Sequence, residues 1–450
     1  MESGMLVDHR NMGAAIRRLS LPIAFTMVGD QLLGVVDTIA IGSLGAVALA
    51  GVTGAATVFT AVAFSIFGFF SGMSIIAAQR VGARDLDAYG GTVRAGFIVP
   101  FLGAIVAALA SIPLAPVVIH AMVGHLASAH SSSIYLTLRC FSLLPIAISG
   151  TLIVGLGAAG NRVLGVLVLA VVNIVHIPLL LILALGWGTH RPLGIEGAGI
   201  SSLLSESIAC VCAVIYALRR PIYRVFASFD LNWRLALECA RLGLPEVVFL
   251  FAVIAPDSFI VAMLAPLGAV AISAFRALNI ASDLTFVVPS PLQSAAQTVI
   301  GQRLGACDVE GARSFFSRAR TLSFWLTTLT GAVCAVLAWP LAYIFTLNAA
   351  VASAAALPLA LHMLTLPLKG YAMVSMSPIR ASGDTRFSLT VGILTGVLVV
   401  PVCYLCIKVL HIGLYGVPVA WIVAWGARSV ATAVKLRGES WTRRRLIGAN

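Results

Sequence analysis

Apolar runs long enough to cross a bilayer recur along the whole chain, separated by short segments that hold most of its charge. Twelve can be marked off, at roughly 20–43, 46–78, 93–119, 133–158, 163–186, 197–218, 243–265, 269–301, 319–345, 355–379, 387–409 and 413–435. A transmembrane barrel would instead show short segments of alternating polarity. The pattern predicts an all-α polytopic membrane protein.

The polar segments then alternate in charge. One set holds Arg10, Arg17 and Arg18, Arg80 with Arg84 and Arg94, Arg162, a cluster from Arg219 to Arg241, Arg303 to Arg320, Arg380 with Arg386, and the tail from Lys435 to Arg445. The other set holds only Arg191 and Lys408. Positively charged loops stay cytoplasmic, which places both termini inside, as an even number of spans requires. Composition agrees: 60% of the 450 residues are hydrophobic and 10% charged, with mean hydropathy +1.02. The net charge of +12 is therefore topological, and a nucleic-acid role is not expected. The closing WTRRRL reads as a lipid-facing anchor. The first apolar run is too long for a signal h-region and holds two acids, so a retained first helix is expected. Eight cysteines, mostly in apolar runs and without zinc spacing, read as small core residues.

Candidate chemistry starts with the acids at depth. Asp30 and Asp37 both lie in the first span. An intramembrane carboxylate is costly and marks a functional site by default. Their seven-residue spacing is two helical turns, which puts both on one face about 10 Å apart along the axis. A carboxylate whose surroundings alternate between wet and dry can take up a cation in one state and release it in the other. Glu206, Asp257 and Asp283 also fall within spans, as do three cations, Arg139, Arg276 and Lys369. Lys369 reads as the partner of Asp257 or Asp283 in a buried ion pair, or as the receptor of an anionic substrate group. Arg139 is expected to snorkel or to pair with an acid. His176 is expected to be satisfied by helix packing, the alternative being a titrating imidazole. Prolines including Pro22, Pro289, Pro291 and Pro367 interrupt spans and permit kinks.

The chain also repeats itself. Leu21-Pro22 recurs as Leu244-Pro245, LGAVA at 44–48 recurs at 267–271, and AAQRVGARDLDA at 77–88 recurs as IGQRLGACDVEG at 300–311, always 223 residues later. Gly160 and Gly383 share that offset, while GIEGAG at 194 pairs with GLYGVP at 413, an offset of 219. Two six-helix halves of the same orientation follow, an architecture of transporters. The expected organisation is a first lobe at 1–218, a basic amphipathic cytoplasmic linker at 219–242 and a second lobe at 243–450 with a basic tail.

The order and spacing of LSLP, VVDTIAIGSLGAVALAG, AAQRVGARD, YLTLRCFSLLP, NIVHIPLLLILALGWGTHRPLGIEGAG, LGAVAISAFRALNI, GQRLGACD and RASGDTR resemble the multidrug and toxic compound extrusion (MATE) transporters across nearly the whole chain. The Asp37 context and Arg139 lean toward the DNA-damage-inducible (DinF-like) branch. The resemblance implies two six-helix parallel-repeat lobes forming a V and cation-coupled export of amphiphilic compounds. It implies that Asp37 is the coupling acid of the first lobe and that Asn173 belongs beside it. The family's further first-lobe acid falls on Ile177, and the two second-lobe acids of the sodium-coupled branch fall on Val253 and Lys369. Their absence favours protons over sodium, with Na+ at Asp37 the alternative and Asp30 a possible compensating group.

The expected protein is thus a proton-coupled antiporter of the cell inner membrane. It exports a small amphiphilic organic substrate by alternating access, as a monomer, with no cofactor and no resident metal. A flippase or exporter of lipid-linked or anionic metabolites is the rival, and it needs Arg139, Arg276 and Lys369 to converge on one cavity. A membrane-embedded enzyme is the remote alternative. The sequence holds no HExxH, GxSxG or GxxxxGK[ST] to support catalysis or nucleotide use.

Overall fold

The computed structural model describes residues 12–124, 128–188, 191–228, 230–443 and 446. Among them every regular element is helical. The first six long helices are α1 (Met12–Gly42), α2 (Ala46–Gly82), α3 (Leu86–Val123), α4 (Ala129–Ala158), α5 (Val163–Leu183) and α6 (Gly194–Leu218). Next come α7 (Trp233–Leu264), α8 (Ala269–Thr285), α9 (Pro289–Gly305), α10 (Val309–Val336) and α11 (Ala338–Thr346). The chain closes with α12 (Ala349–Met363), α13 (Leu366–Ala381), α14 (Thr385–Tyr404), α15 (Gly416–Arg437) and the short α16 (Ser440–Arg443). Nine of the described helical stretches are long and apolar enough to cross a membrane, eleven when each of two bent pairs counts as one span. The seventh predicted span falls in α7. Of the tail anchor, Arg444 and Arg445 lie outside the described residues, as does Arg10.

The internal repeat is written into the turns. Where the sequence pairs residues, the backbone pairs its left-handed positions: Gly45 and Gly268 (φ 109° and 91°), Arg84 and Cys307 (60° and 64°), Gly160 and Gly383 (86° and 82°), Gly194 and Gly413 (59° and 58°). Arg84 and Cys307 occupy a conformation that costs a side-chain-bearing residue free energy. In each turn an aspartate then caps the next helix: Asp85 accepts from the Ala88 N–H at 2.9 Å, and Asp308 from the Gly311 N–H at 2.8 Å. The two halves therefore break and restart their helices by the same device.

The expected ninth and tenth spans are not single helices. The ninth is α10 followed by α11, bent by 71°, and the tenth is α12 followed by α13, bent by 41°. Proline explains the second break, because Pro367 in the first turn of α13 cannot donate to the preceding helix. The eighth is likewise divided, with α8 ending at Thr285 and Pro289 opening α9. Pro22, by contrast, lies inside the continuous helix α1.

Two compact units emerge, one of residues 21–247 and one of residues 12–20 with those from 248 onward. The first is built on a core that includes Ile66, Phe70, Ile119, Leu143 and Leu180. The second has one core around Ile260, Leu264, Leu278 and Leu359. Another joins Ile16 and Leu19 to Leu292, Phe315 and Trp441. The segment expected as a linker, 219–242, lies against the first unit. The Arg94 guanidinium donates to the Arg224 and Val225 carbonyls at 2.9 and 3.1 Å, and Arg224 pairs with Asp87. The start of α7 crosses α2 so closely that a Cβ on Gly72 would come within 1.9 Å of the Cys239 carbonyl oxygen. Only glycine allows that approach.

Candidate functional site

The first unit brings Asp37, His176 and Ser205 together from three helices. Asp37 lies five residues before the end of α1, His176 is on α5 and Ser205 on α6. His176 Nε2 is 2.8 Å from Asp37 Oδ1, and His176 Nδ1 is 3.4 Å from Ser205 Oγ. Ser205 also donates to the Ser202 carbonyl of its own helix at 3.0 Å. Exposure divides the pair: the His176 side chain is 4% exposed and that of Asp37 33%. The imidazole is sealed in protein while the carboxylate keeps an open side. An ion arriving at Asp37 therefore meets the open side of a carboxylate that a sealed imidazole nitrogen contacts from within. His176 is thus not a histidine satisfied by packing alone.

Further charges surround this contact. Glu206, next to Ser205 on α6, lies within electrostatic reach of Arg139, Asp30 and His176. Tyr135, on α4 one turn before Arg139, is within reach of both Arg139 and Asp37. The Arg139 guanidinium lies 4.0 Å from the Phe59 ring centroid, a cation–π contact rather than the ion pair or snorkelling expected. Its Nε is buried with no hydrogen-bond partner among the described residues. Asp30 is exposed. Asn173 turns to its own helix, donating to the Leu169 carbonyl at 2.9 Å, and among the described residues its side chain has no hydrogen bond to Asp37.

A cavity of about 400 Å³ also opens in the first unit, lined by Val93, Phe97, Leu152, Val214, Phe226 and Arg94 among others. None of the predicted coupling residues lines it. It has room for the apolar part of a small organic molecule.

The second unit holds the other candidates. Lys369, on α13, is 1% exposed. Its Nζ lies 3.2 Å from the Ser282 carbonyl, 3.5 Å from Ser282 Oγ and from Thr285 Oγ1, and 3.1 Å from the Phe286 ring centroid. The ion pair expected with Asp257 or Asp283 is not formed among the described residues. The last turn of α8 reaches the ammonium first, and Asp283 acts on it only through space. Asp283 and Arg276 are exposed on α8. Asp257, on α7, has Asn279 at hydrogen-bonding reach, and its Oδ1 is buried without a partner among the described residues. Arg139, Arg276 and Lys369 thus have three different surroundings: an aromatic ring, an exposed helix face and a buried nest.

Sequence reasoning missed Ser205, the two rings under the cations, and Arg428. The Arg428 guanidinium on α15 lies 4.9 Å from the Trp425 ring centroid and 5.2 Å from that of Phe249. An arginine inside the twelfth span was signal enough to find it. Ser205 carried no signal, because helical serines commonly bond their own backbone. No group of three or more His, Cys, Asp or Glu side chains able to hold a metal ion occurs among the described residues.

The MatE family model matches this chain twice, at residues 22–182 and 245–405. The chain belongs to the MatE family. The two matched segments begin 223 residues apart, the offset at which the sequence and its left-handed turns repeat. Among curated relatives, a probable multidrug resistance protein NorM of Aromatoleum aromaticum is 25% identical over 340 residues, 74% of this chain and 73% of that protein. One of Caulobacter vibrioides is 23% identical over 438 residues, 95% and 92% of the two chains. A solved structure described as the outward-facing conformation of a multidrug resistance MATE family transporter of the MOP superfamily matches with a TM-score of 0.88. It is 19% identical and covers 97% of this chain and 99% of that one. The family is one of membrane transporters, and the fold is its two-repeat, all-helical architecture. The chain is a transporter, not an enzyme.

Proposed function

We propose that this chain is a proton-coupled antiporter that exports amphiphilic organic compounds, drugs among them, across the cell inner membrane by alternating access. Both termini are cytoplasmic and the monomer is the working unit. The observation that carries the reading is the 2.8 Å contact between Asp37 and His176, a half-open carboxylate against a sealed imidazole. Such a pair exchanges a proton with an aqueous pathway when one is open and holds it when the pathway closes. A group that pairs with imidazole suits a proton better than sodium, which prefers a shell of oxygen ligands. Asp30 and Glu206 extend the charged surroundings of the pair, and Asn173 supports α5. The names of the curated relatives support drug-like substrates.

The test is transport in proteoliposomes, with a fluorescent organic cation and a proton or a sodium gradient imposed separately. Proton-driven flux that Asp37→Asn abolishes supports the reading. Flux that only sodium drives, or that survives Asp37→Asn, sinks the coupling assignment. Movement of anionic dyes alone would favour export of anionic metabolites.

A further inference from the structure

Lys369 is a cation fully enclosed in the second unit, and its surroundings have the character of a cation site. Its ammonium faces one carbonyl, two hydroxyls and one aromatic face. Oxygen ligands and the face of an aromatic ring are the groups that hold small monovalent cations in protein interiors.

The end of α8 makes this cradle. A helix leaves its last carbonyls without intrahelical donors and concentrates negative potential there. In α8 the Asp283, Leu284 and Thr285 carbonyls are taken by the backbone N–H groups of Phe286, Val287 and Val288, at 3.1, 3.3 and 3.3 Å. The Ser282 carbonyl receives two side chains. The Thr285 hydroxyl donates to it at 2.6 Å, and the Lys369 ammonium at 3.2 Å. Phe286, the first residue past the helix, closes the nest with its ring. The break between α8 and α9, which Pro289 enforces, is what frees these groups.

The other charges nearby are not ligands. Asp283 on α8 and His362 on α12 act on Lys369 at longer range, while Arg276 on α8 and Asp257 on α7 act on Asp283. Arg428 on α15 shares the Trp425 ring, which lies 6.0 Å from Lys369 Nζ.

We propose that Lys369 is a tethered cation: its ammonium fills a monovalent-cation site at the broken end of α8, in place of an ion from solution. This is independent of how Asp37 works, since it concerns the other unit and is read first without transport.

The experiment removes the tether and supplies the ion. Lys369→Ala is purified with and without methylammonium chloride, with choline chloride as the ionic-strength control, and its thermal unfolding is followed. A lowered Tm that rises saturably with methylammonium, unmoved by choline and with no matching rise in the wild type, is the expected result. Lys369→Met fills the space without the charge and is expected to show no such rise, because the methionine occupies the cradle. In proteoliposomes, flux through Lys369→Ala is expected to become dependent on methylammonium, while wild-type flux ignores it. A Tm of Lys369→Ala that methylammonium does not raise would overturn the proposal, whether the variant is as stable as the wild type or fails to fold in every salt. Equal rescue of Lys369→Ala and Lys369→Met would overturn it too.

Discussion

Asp37, His176 and Ser205 of the first unit stand where the second unit has Ile260, Val399 and Ala424, at the offsets by which the sequence repeats. The first three form a hydrogen-bonded contact across three helices. The second three all belong to one buried apolar core, at 0%, 0% and 3% exposure. One helical frame thus serves two purposes at the same place. In one unit the space holds a polar contact that leaves a carboxylate half open. In the other it is filled with hydrocarbon, which contributes packing and burial. The second unit's charge is displaced to Lys369, whose counterpart in the first unit is Ile146. Likewise Arg139, stacked on Phe59, has His362 as its counterpart, 3% exposed and with no partner for Nδ1 among the described residues. The duplication kept the backbone and redistributed the ionisable groups.

The comparison can be broken most decisively at Asp37. Asp37→Asn is expected to lower proton-driven flux by about a hundredfold or more, the scale on which positioned proton-transfer groups act. Initial rates in proteoliposomes under an imposed pH gradient check this. Importing the second unit's solution should separate function from stability. The triple variant Asp37→Ile, His176→Val, Ser205→Ala is expected to be as inactive as Asp37→Asn, yet to melt at or above the wild-type Tm, since buried polar pairs are often replaced by hydrocarbon without loss. A triple variant that unfolds would show that the contact holds the first unit together.

The reverse exchange should fail on stability. Ile260→Asp puts one charge into an apolar core without its imidazole partner and is expected to cost about 3–5 kcal/mol, read as a fall in Tm. Smaller effects follow within the contact. His176→Ala is expected to reduce flux about tenfold, as loss of a positioning partner commonly does, with His176→Gln recovering part of it. Ser205→Ala should cost about threefold or less, the share of one long neutral hydrogen bond. If Ser205→Ala matched His176→Ala, the hydroxyl would have a larger part than orienting the ring.

Much of the fold could be read in advance because membrane helices advertise themselves. A run of apolar residues must cross the bilayer as a helix to satisfy its own backbone, and repeated turns such as LGAVA and GQRLGACD demanded repeated conformations. The breaks in the ninth and tenth spans were harder, because composition stays apolar through them and only single prolines, Pro340 in the first turn of α11 and Pro367 in that of α13, hinted at them. Asp37 was visible because a carboxylate in an apolar run stands out at once. Its partner was less so. The sequence pointed to Asn173 by resemblance, whereas the contact is made by His176, three residues on and about 60° away around the helix. Lys369 was visible as an anomaly, but the expected carboxylate partner was wrong, since a backbone carbonyl freed by a helix end leaves no mark in composition.

The amino-acid sequence by itself determined the helical class, the two-fold internal repeat, the family and the short list of ionisable groups at depth. Each follows from local chemistry: hydropathy, turn residues and the high cost of charge in hydrocarbon. Only the tertiary structure decided which of those groups meet. Asp37 and His176 are 139 residues apart, and Lys369 lies 87 residues from Ser282. Such contacts depend on how helices rotate and pack, and rotation is set by the whole set of buried side chains rather than by the residues that touch.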